Sequence, residues 1–106
     1  MDNFKAVYWI LSKLEEDLDK PKADVSRFDH AALGVSEARW NHYIEMMADC
    51  GYIKGVTIKE NVFGEIISEC ENIKITLKGL EYLQENSLMR KAYNMIKGIE
   101  DIIPGL

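Results

Sequence analysis

LGVSEARWNHYIEMMADCGYI, from Leu33 to Ile53, is the stretch on which the fold turns. Gly34 stands where a helix ending near Leu33 needs a left-handed residue to close it. Ser36, two positions on, is a residue type whose side-chain oxygen caps the start of a new helix. From Glu37 to about Cys50 the apolar Trp40, Tyr43, Ile44 and Met47 recur at helical spacing, with Gly51 just past the end. Two helices joined by a short glycine-containing turn are the pattern of a helix-turn-helix, but generic helical hairpins share it. The flanking elements therefore decide the architecture.

Upstream, Phe4, Val7, Tyr8, Leu11, Leu14 and Leu18 fall on one helical face from Asn3 to Asp19, and Lys20-Pro21 ends that helix. Trp9 and Ile10 lie off the stripe, so an element of this chain or of another copy is expected to cover them. Ser26-Arg27-Phe28-Asp29 has the form of a capping box and predicts a short second helix reaching Leu33. Downstream, Ile53 to Lys59 alternates as a half-buried strand does, Asn61 to Gly64 is a turn, and Glu65 to Cys70 returns as a second strand. Ile73-Lys74-Ile75 adds a short pairing segment. Thr76 is an N-cap for a helix over Leu77 to Asn86, with Leu77, Leu80 and Leu83 toward the core. A last helix, Leu88 to Ile103, carries Leu88, Ala92, Met95, Ile96, Ile99 and Ile103 on a broad apolar face before Pro104-Gly105.

At 106 residues the chain suits one domain, 1–106, with the helix over 88–103 included. Hydrophobic residues at 47% and charged residues at 29% give a globular balance. The longest apolar run, Ala6 to Leu11, falls far short of the ~20 residues that cross a bilayer, and no basic flank or cleavage site marks a secretion signal. No membrane partner and a cytoplasmic location are the expectation. Cys50 and Cys70 form no C-x-x-C pair and read as buried thiols. A net charge of -5 and a pI near 5.0 count against a free-standing nucleic-acid binder, which usually carries a basic surplus against phosphate.

Three helices, a hairpin and a following helix make the order of a winged helix-turn-helix, an α+β fold. The Leu33–Ile53 stretch and ITLKGLEYLQEN, from Ile75 to Asn86, resemble winged-helix regulators. Those proteins often end the recognition helix in a glycine and an apolar pair and leave the wing through a Leu-Thr-x-x-Gly type of helix start. Ile75-Thr76-Leu77-Lys78-Gly79 is similar to that exit. The whole chain resembles the YjcQ family, small proteins typical of Gram-positive bacteria, their phages and their prophages. The closing MRKAYNMIKGIEDIIPG, from Met89 to Gly105, carries that narrower likeness. The resemblance implies a winged-helix fold and a phage or prophage origin; it supplies no biochemical activity.

In DNA-bound helix-turn-helix proteins the first turns of the second helix meet base edges, which makes Ala38, Arg39, Asn41 and His42 the candidate readers. Lys54 and Lys59 are the candidate phosphate contacts. Glu45 and Asp49 continue the same strip, however, and carboxylates are repelled by phosphate. From Ser36 to Gly51 Arg39 stands alone against Glu37, Glu45 and Asp49, and Lys54, Lys59 and Lys74 face Glu60, Glu65, Glu69 and Glu71 in the hairpin. Arg90, Lys91 and Lys97, near Asn94 and Asp101, read as a solvated helix face.

His42, Glu45 and Asp49 could share a metal on one helix face, but three ligands from one helix are weak grounds, so no metal or cofactor is expected. No nucleophile with a base and no phosphate-cradling loop is present, so an enzyme is not expected. The acidic run Glu15, Glu16, Asp17 and Asp19 reads as a solvated helix end, and His30 as a helix-surface residue. Two functions follow. One is a regulator of phage or prophage genes binding double-stranded DNA. The other is a module that binds a phage or host protein, or pairs with its own copy through the last helix, with Trp9, Ile10, Met95 and Ile99 as the candidate surface.

Overall fold

The computed structural model describes residues 1–96. Helix α1 spans Asn3–Glu16, α2 His30–Leu33 and α3 Glu37–Asp49. Four short strands follow, β1 Ile53–Lys54, β2 Thr57–Glu60, β3 Ile66–Glu69 and β4 Lys74–Ile75. Helices α4, Leu77–Glu85, and α5, Ser87–Ile96, come last among the described residues. The class is α+β. The expected continuation to Ile103, with Lys97, Ile99 and Asp101, lies outside the described residues.

Four of the helix starts have a visible chemical cause. Asp2 caps α1 by accepting the Lys5 N–H at 2.9 Å, and Ser36 caps α3 by accepting that of Arg39 at 3.1 Å. Thr76 caps α4 through the Gly79 N–H at 3.1 Å. The predicted capping box is corrected: Asp29 itself caps α2, through the Ala32 N–H at 2.9 Å, while Ser26 donates its hydroxyl to Asp24. Residues Val25–Arg27 form a 3-10 turn, and Gly34, at φ 67°, closes α2 in the left-handed region as expected.

The core is built from Ala6, Ile10, Leu11 and Leu14 of α1, from Phe28 and Leu33, and from Trp40, Tyr43, Ile44 and Met47 of α3. Ile53, Ile73, Ile75 and Leu83 close it from below the sheet and α4. Tyr8, Leu11 and Leu14 of the predicted stripe are buried and Val7 packs against the core, while the two ends of the stripe stay outside. Ile10 is fully enclosed, whereas Phe4 and Leu18 are 68% and 52% exposed. Leu77, expected inside, lies exposed at the first turn of α4, and Cys50, expected buried, is exposed past the end of α3. Helix α5 runs along α1 and α4, with Met89 against the core.

The acidic run is also not a plain solvated end. Asp17, only 3% exposed, accepts the Asp24 N–H at 2.9 Å, the Lys20 ammonium at 3.1 Å and the Arg27 guanidinium. Burial by itself raises the carboxyl pKa, but these three donors outweigh it and hold the group below its ordinary value. One carboxylate thus gathers the loop between α1 and α2.

The expected strand from Ile53 to Lys59 is interrupted. Ile53 pairs with Ile75 and Lys54 with Lys74, antiparallel, while a separate ladder pairs Thr57 with Glu69, Ile58 with Ser68, Lys59 with Ile67 and Glu60 with Ile66. Gly55 makes the break: at φ 79° its backbone passes so close to Asn72 that an added Cβ would lie 1.8 Å from the Asn72 carbonyl oxygen. The inward pair Ile58 and Ser68 faces α3.

Candidate functional site

The proposed DNA readers part company in three dimensions. Asn41 is buried, and its Oδ1 accepts the Ser68 N–H at 3.2 Å, so it ties β3 to α3 and presents nothing outward. Stepping by helical period gave Asn41 to the solvent strip, but the strands dock on that side of α3. Ala38, Arg39 and His42 are exposed, and the same outward strip continues through Glu45 and Asp49. His42 Nδ1 lies 3.7 Å from Glu45 Oε1. Among the described residues no three His, Cys, Asp or Glu side chains are grouped as metal ligands.

The hairpin cations are no better placed. Lys59 is bound to Glu69 at 2.7 Å, and that hydrogen bond raises the lysine pKa. Lys54 stands directly across from Lys74.

The candidate partner surface is corrected likewise. Ile10 is sealed inside the chain's own core. Trp9 is half-buried, donates its indole N–H to the Arg27 carbonyl at 3.2 Å, and carries the Lys13 ammonium 4.7 Å from its ring centre. Met95 is 74% exposed, and Ile99 lies outside the described residues.

Two apolar features absent from the sequence reading stand out instead. The first is a groove of about 760 Å³ between α1, α3 and α4, lined by Phe4, Val7, Tyr43, Met46, Cys50 and Tyr82 among others. Phe4 and Met46, 51% exposed, leave apolar surface open to solvent along it. Its frame is firm. The Tyr43 hydroxyl and the Arg39 guanidinium, at 3.1 Å for the latter, both meet Asn3 Oδ1, which joins the starts of α1 and α3. Tyr52 and Tyr82 stack at a tilt with ring centres 5.1 Å apart at the other end. Arg39 lines the groove, and the Lys78 ammonium lies 6.0 Å from the ring centre of Tyr52, another lining residue, so two cations stand at its margin, with the Glu45 carboxylate 3.7 Å from the lining His42.

The second feature is the hairpin tip. Val62 and Phe63 are 93% and 83% exposed. Asn61 Oδ1 accepts the N–H groups of both Phe63 and Glu65 at 2.9 Å, and the Asn61 N–H donates to the Glu65 carbonyl, so the turn is held shut while its two apolar side chains point out. Two consecutive apolar residues inside a turn, where polar ones are the rule, are a signal the sequence did carry. Phe4 and Met46 gave no such signal, because each sits at a spacing compatible with a core face.

A family model described as YjcQ protein matches residues 8–102. The chain belongs to the YjcQ family. No match was found among curated proteins or among solved structures. Membership covers α1 from Tyr8 onward and every later described element, so the groove and the hairpin tip both lie within the family's span apart from Asn3, Phe4 and Val7.

Proposed function

We propose that the chain is a protein-interaction module on a winged-helix scaffold, in which the β2–β3 hairpin is the wing and α3 stands at the recognition-helix position. Its docking site is the groove between α1, α3 and α4, and its partner presents an apolar segment flanked by carboxylates. The observation that carries this reading is the open apolar lining at Phe4 and Met46 beside the cationic Arg39 and Lys78. Apolar anchors with cations set beside them are what a groove needs to favour an amphipathic segment that carries carboxylates.

The rival reading, a regulator binding double-stranded DNA, keeps Ala38, Arg39 and His42 on the exposed early turns of α3. It loses Asn41 to the sheet and Lys59 to Glu69, and it must bring Glu45 and Asp49 toward phosphate. The experiment follows the methionine methyl signals of Met46 and Met47 by NMR while a synthetic peptide, Glu-Glu-Phe-Val-Phe-Glu-Glu, is added. In parallel, fluorescence anisotropy measures binding to mixed duplex DNA at low and near-physiological salt. Saturable shifts of the Met46 and Met47 signals are expected, and in the Met46→Glu variant the remaining Met47 signal should no longer shift. Salt-sensitive DNA binding that Arg39→Ala weakens, with silent methyl signals, would replace this proposal by the regulator.

A further inference from the structure

We propose that the groove is filled by the wing tip of a second copy of this chain, so that copies associate head to tail. The inference rests on the docking role given to the groove and goes on to name the occupant. Val62 and Phe63 are 93% and 83% exposed and stand clear of the core formed by the described residues, so the tip is free to be buried elsewhere. The hydrogen bonds from Asn61 set the turn in place before any contact forms, and a preorganised anchor loses little conformational freedom on binding. A convex turn with a phenylalanine at its apex suits an open groove of this volume, which lies within the range that takes sizeable ligands.

Charge selects the partner. The tip is bracketed by Glu60 and Glu65, both exposed and neither in a salt bridge among the described residues. The groove margin bears Arg39, whose partner among the described residues is the neutral Asn3 amide, and Lys78 beside Tyr52. Acid on the tip therefore meets base on the groove. The same two carboxylates argue against the tip serving as an apolar wedge between DNA bases, since phosphates would lie on both sides of it.

Tip and groove are different surfaces, so the contact is heterologous: a joined pair keeps one free tip and one free groove, and assembly proceeds as open chains or closes as a ring. The association expected is weak, because a single turn in a groove buries less than a standard interface.

The test is sedimentation velocity on the full chain from micromolar to millimolar concentration, with circular dichroism confirming that each variant is folded. Wild type should show species above monomer that grow with concentration. The tip variant Val62→Ser/Phe63→Ser and the groove variant Met46→Glu should each associate at least about tenfold more weakly, as loss of an aromatic anchor generally does. Mixed in equal amounts they should form a dimer and nothing larger, since only one intact tip and one intact groove remain per pair. Assembly of the tip variant equal to wild type would overturn the proposal, as would a wild type that stays monomeric throughout. In that last outcome, persistent shifts of the Met46 and Met47 signals with the acidic peptide would leave the groove as a docking site for another protein and remove only the self-association.

Discussion

Replacing Gly79 by alanine sets helix propensity against packing. Gly79 lies in the first turn of α4 and is buried. Alanine is favoured over glycine within a helix by about 1 kcal/mol, so propensity alone predicts a more stable protein. The surroundings predict the reverse. A Cβ at this position would stand 2.4 Å from the Tyr52 carbonyl oxygen and 2.6 Å from Ile75 Cγ1. Carbon and oxygen approach no closer than about 3.3 Å even in favourable contacts, so the carbonyl and helix must separate by nearly 1 Å. That oxygen accepts the Thr76 N–H at 3.0 Å, and the Thr76 side chain caps the same helix, so α4 cannot retreat without loosening both bonds. Ile75 cannot yield either, because it belongs to the core. Overpacking of this kind costs about 1–3 kcal/mol, and a weakened hydrogen bond adds about 1 kcal/mol. After the propensity gain, Gly79→Ala should lose about 1–3 kcal/mol, which for a domain of this size lowers Tm by roughly 4–8 °C for each kcal/mol. Thermal and urea unfolding followed by circular dichroism measure it. A Tm equal to or above wild type would refute the close-approach argument.

Gly55→Ala should be more damaging still, since it adds both a left-handed strain and a 1.8 Å collision with the Asn72 carbonyl; loss of the cooperative unfolding transition or of hairpin NMR signals is the readout. Asp17→Asn should cost about 2 kcal/mol at pH 7 by denaturant titration, as a buried carboxylate loses its charged partners. Because the folded carboxyl titrates below its unfolded value of 3.8, the wild-type advantage is complete above that value and vanishes as pH falls through the folded pKa; a gap that persists in strong acid would contradict the assignment. Asn41→Ala should destabilise by about 1–2 kcal/mol by stranding the Ser68 N–H, and should leave any duplex DNA affinity unchanged in an anisotropy titration. Ser68→Ala should be neutral or slightly stabilising in the same unfolding assay, because Ser68 Oγ is buried with no hydrogen-bond partner among the described residues.

The sequence is most readable where a local chemical rule acts alone. Ser36, Thr76 and Gly34 announced their helix ends because capping and left-handed closure depend on one or two residues. It is least readable where a distant backbone decides. Gly55 broke the predicted strand through Asn72, a neighbour 17 positions away that no periodicity reveals. Asn41 stepped onto the outward strip by helical geometry, yet β3 arrives on that side and takes its side chain. Asp17 looked like one of several surface acids, and only the return of Asp24 and Arg27 makes it a buried hub. The groove was illegible for the same reason: its walls come from α1, α3 and α4, and no single segment shows that Phe4 and Met46 stay uncovered.

These misplacements bear on the choice between DNA and protein as partner. A helix-turn-helix reads DNA when its second helix offers donors to bases and its flanks offer cations to phosphates, and each neutralised phosphate contributes to affinity through released counterions. In this chain the one side-chain amide of α3 is spent holding the sheet to the helix, and a lysine of the hairpin is spent on a glutamate of the facing strand. Lys54 and Lys74, set opposite each other, repel instead of tracking a backbone. What the exposed surface offers in place of a basic stripe is apolar: Phe4 and Met46 in one place, Val62 and Phe63 in another. Large exposed apolar groups are costly to leave in water and are retained where burial against a partner recovers that cost. The charges beside them have opposite sign, glutamates at the tip and Arg39 with Lys78 at the groove, which is the pairing that a protein–protein contact exploits and a phosphate backbone does not.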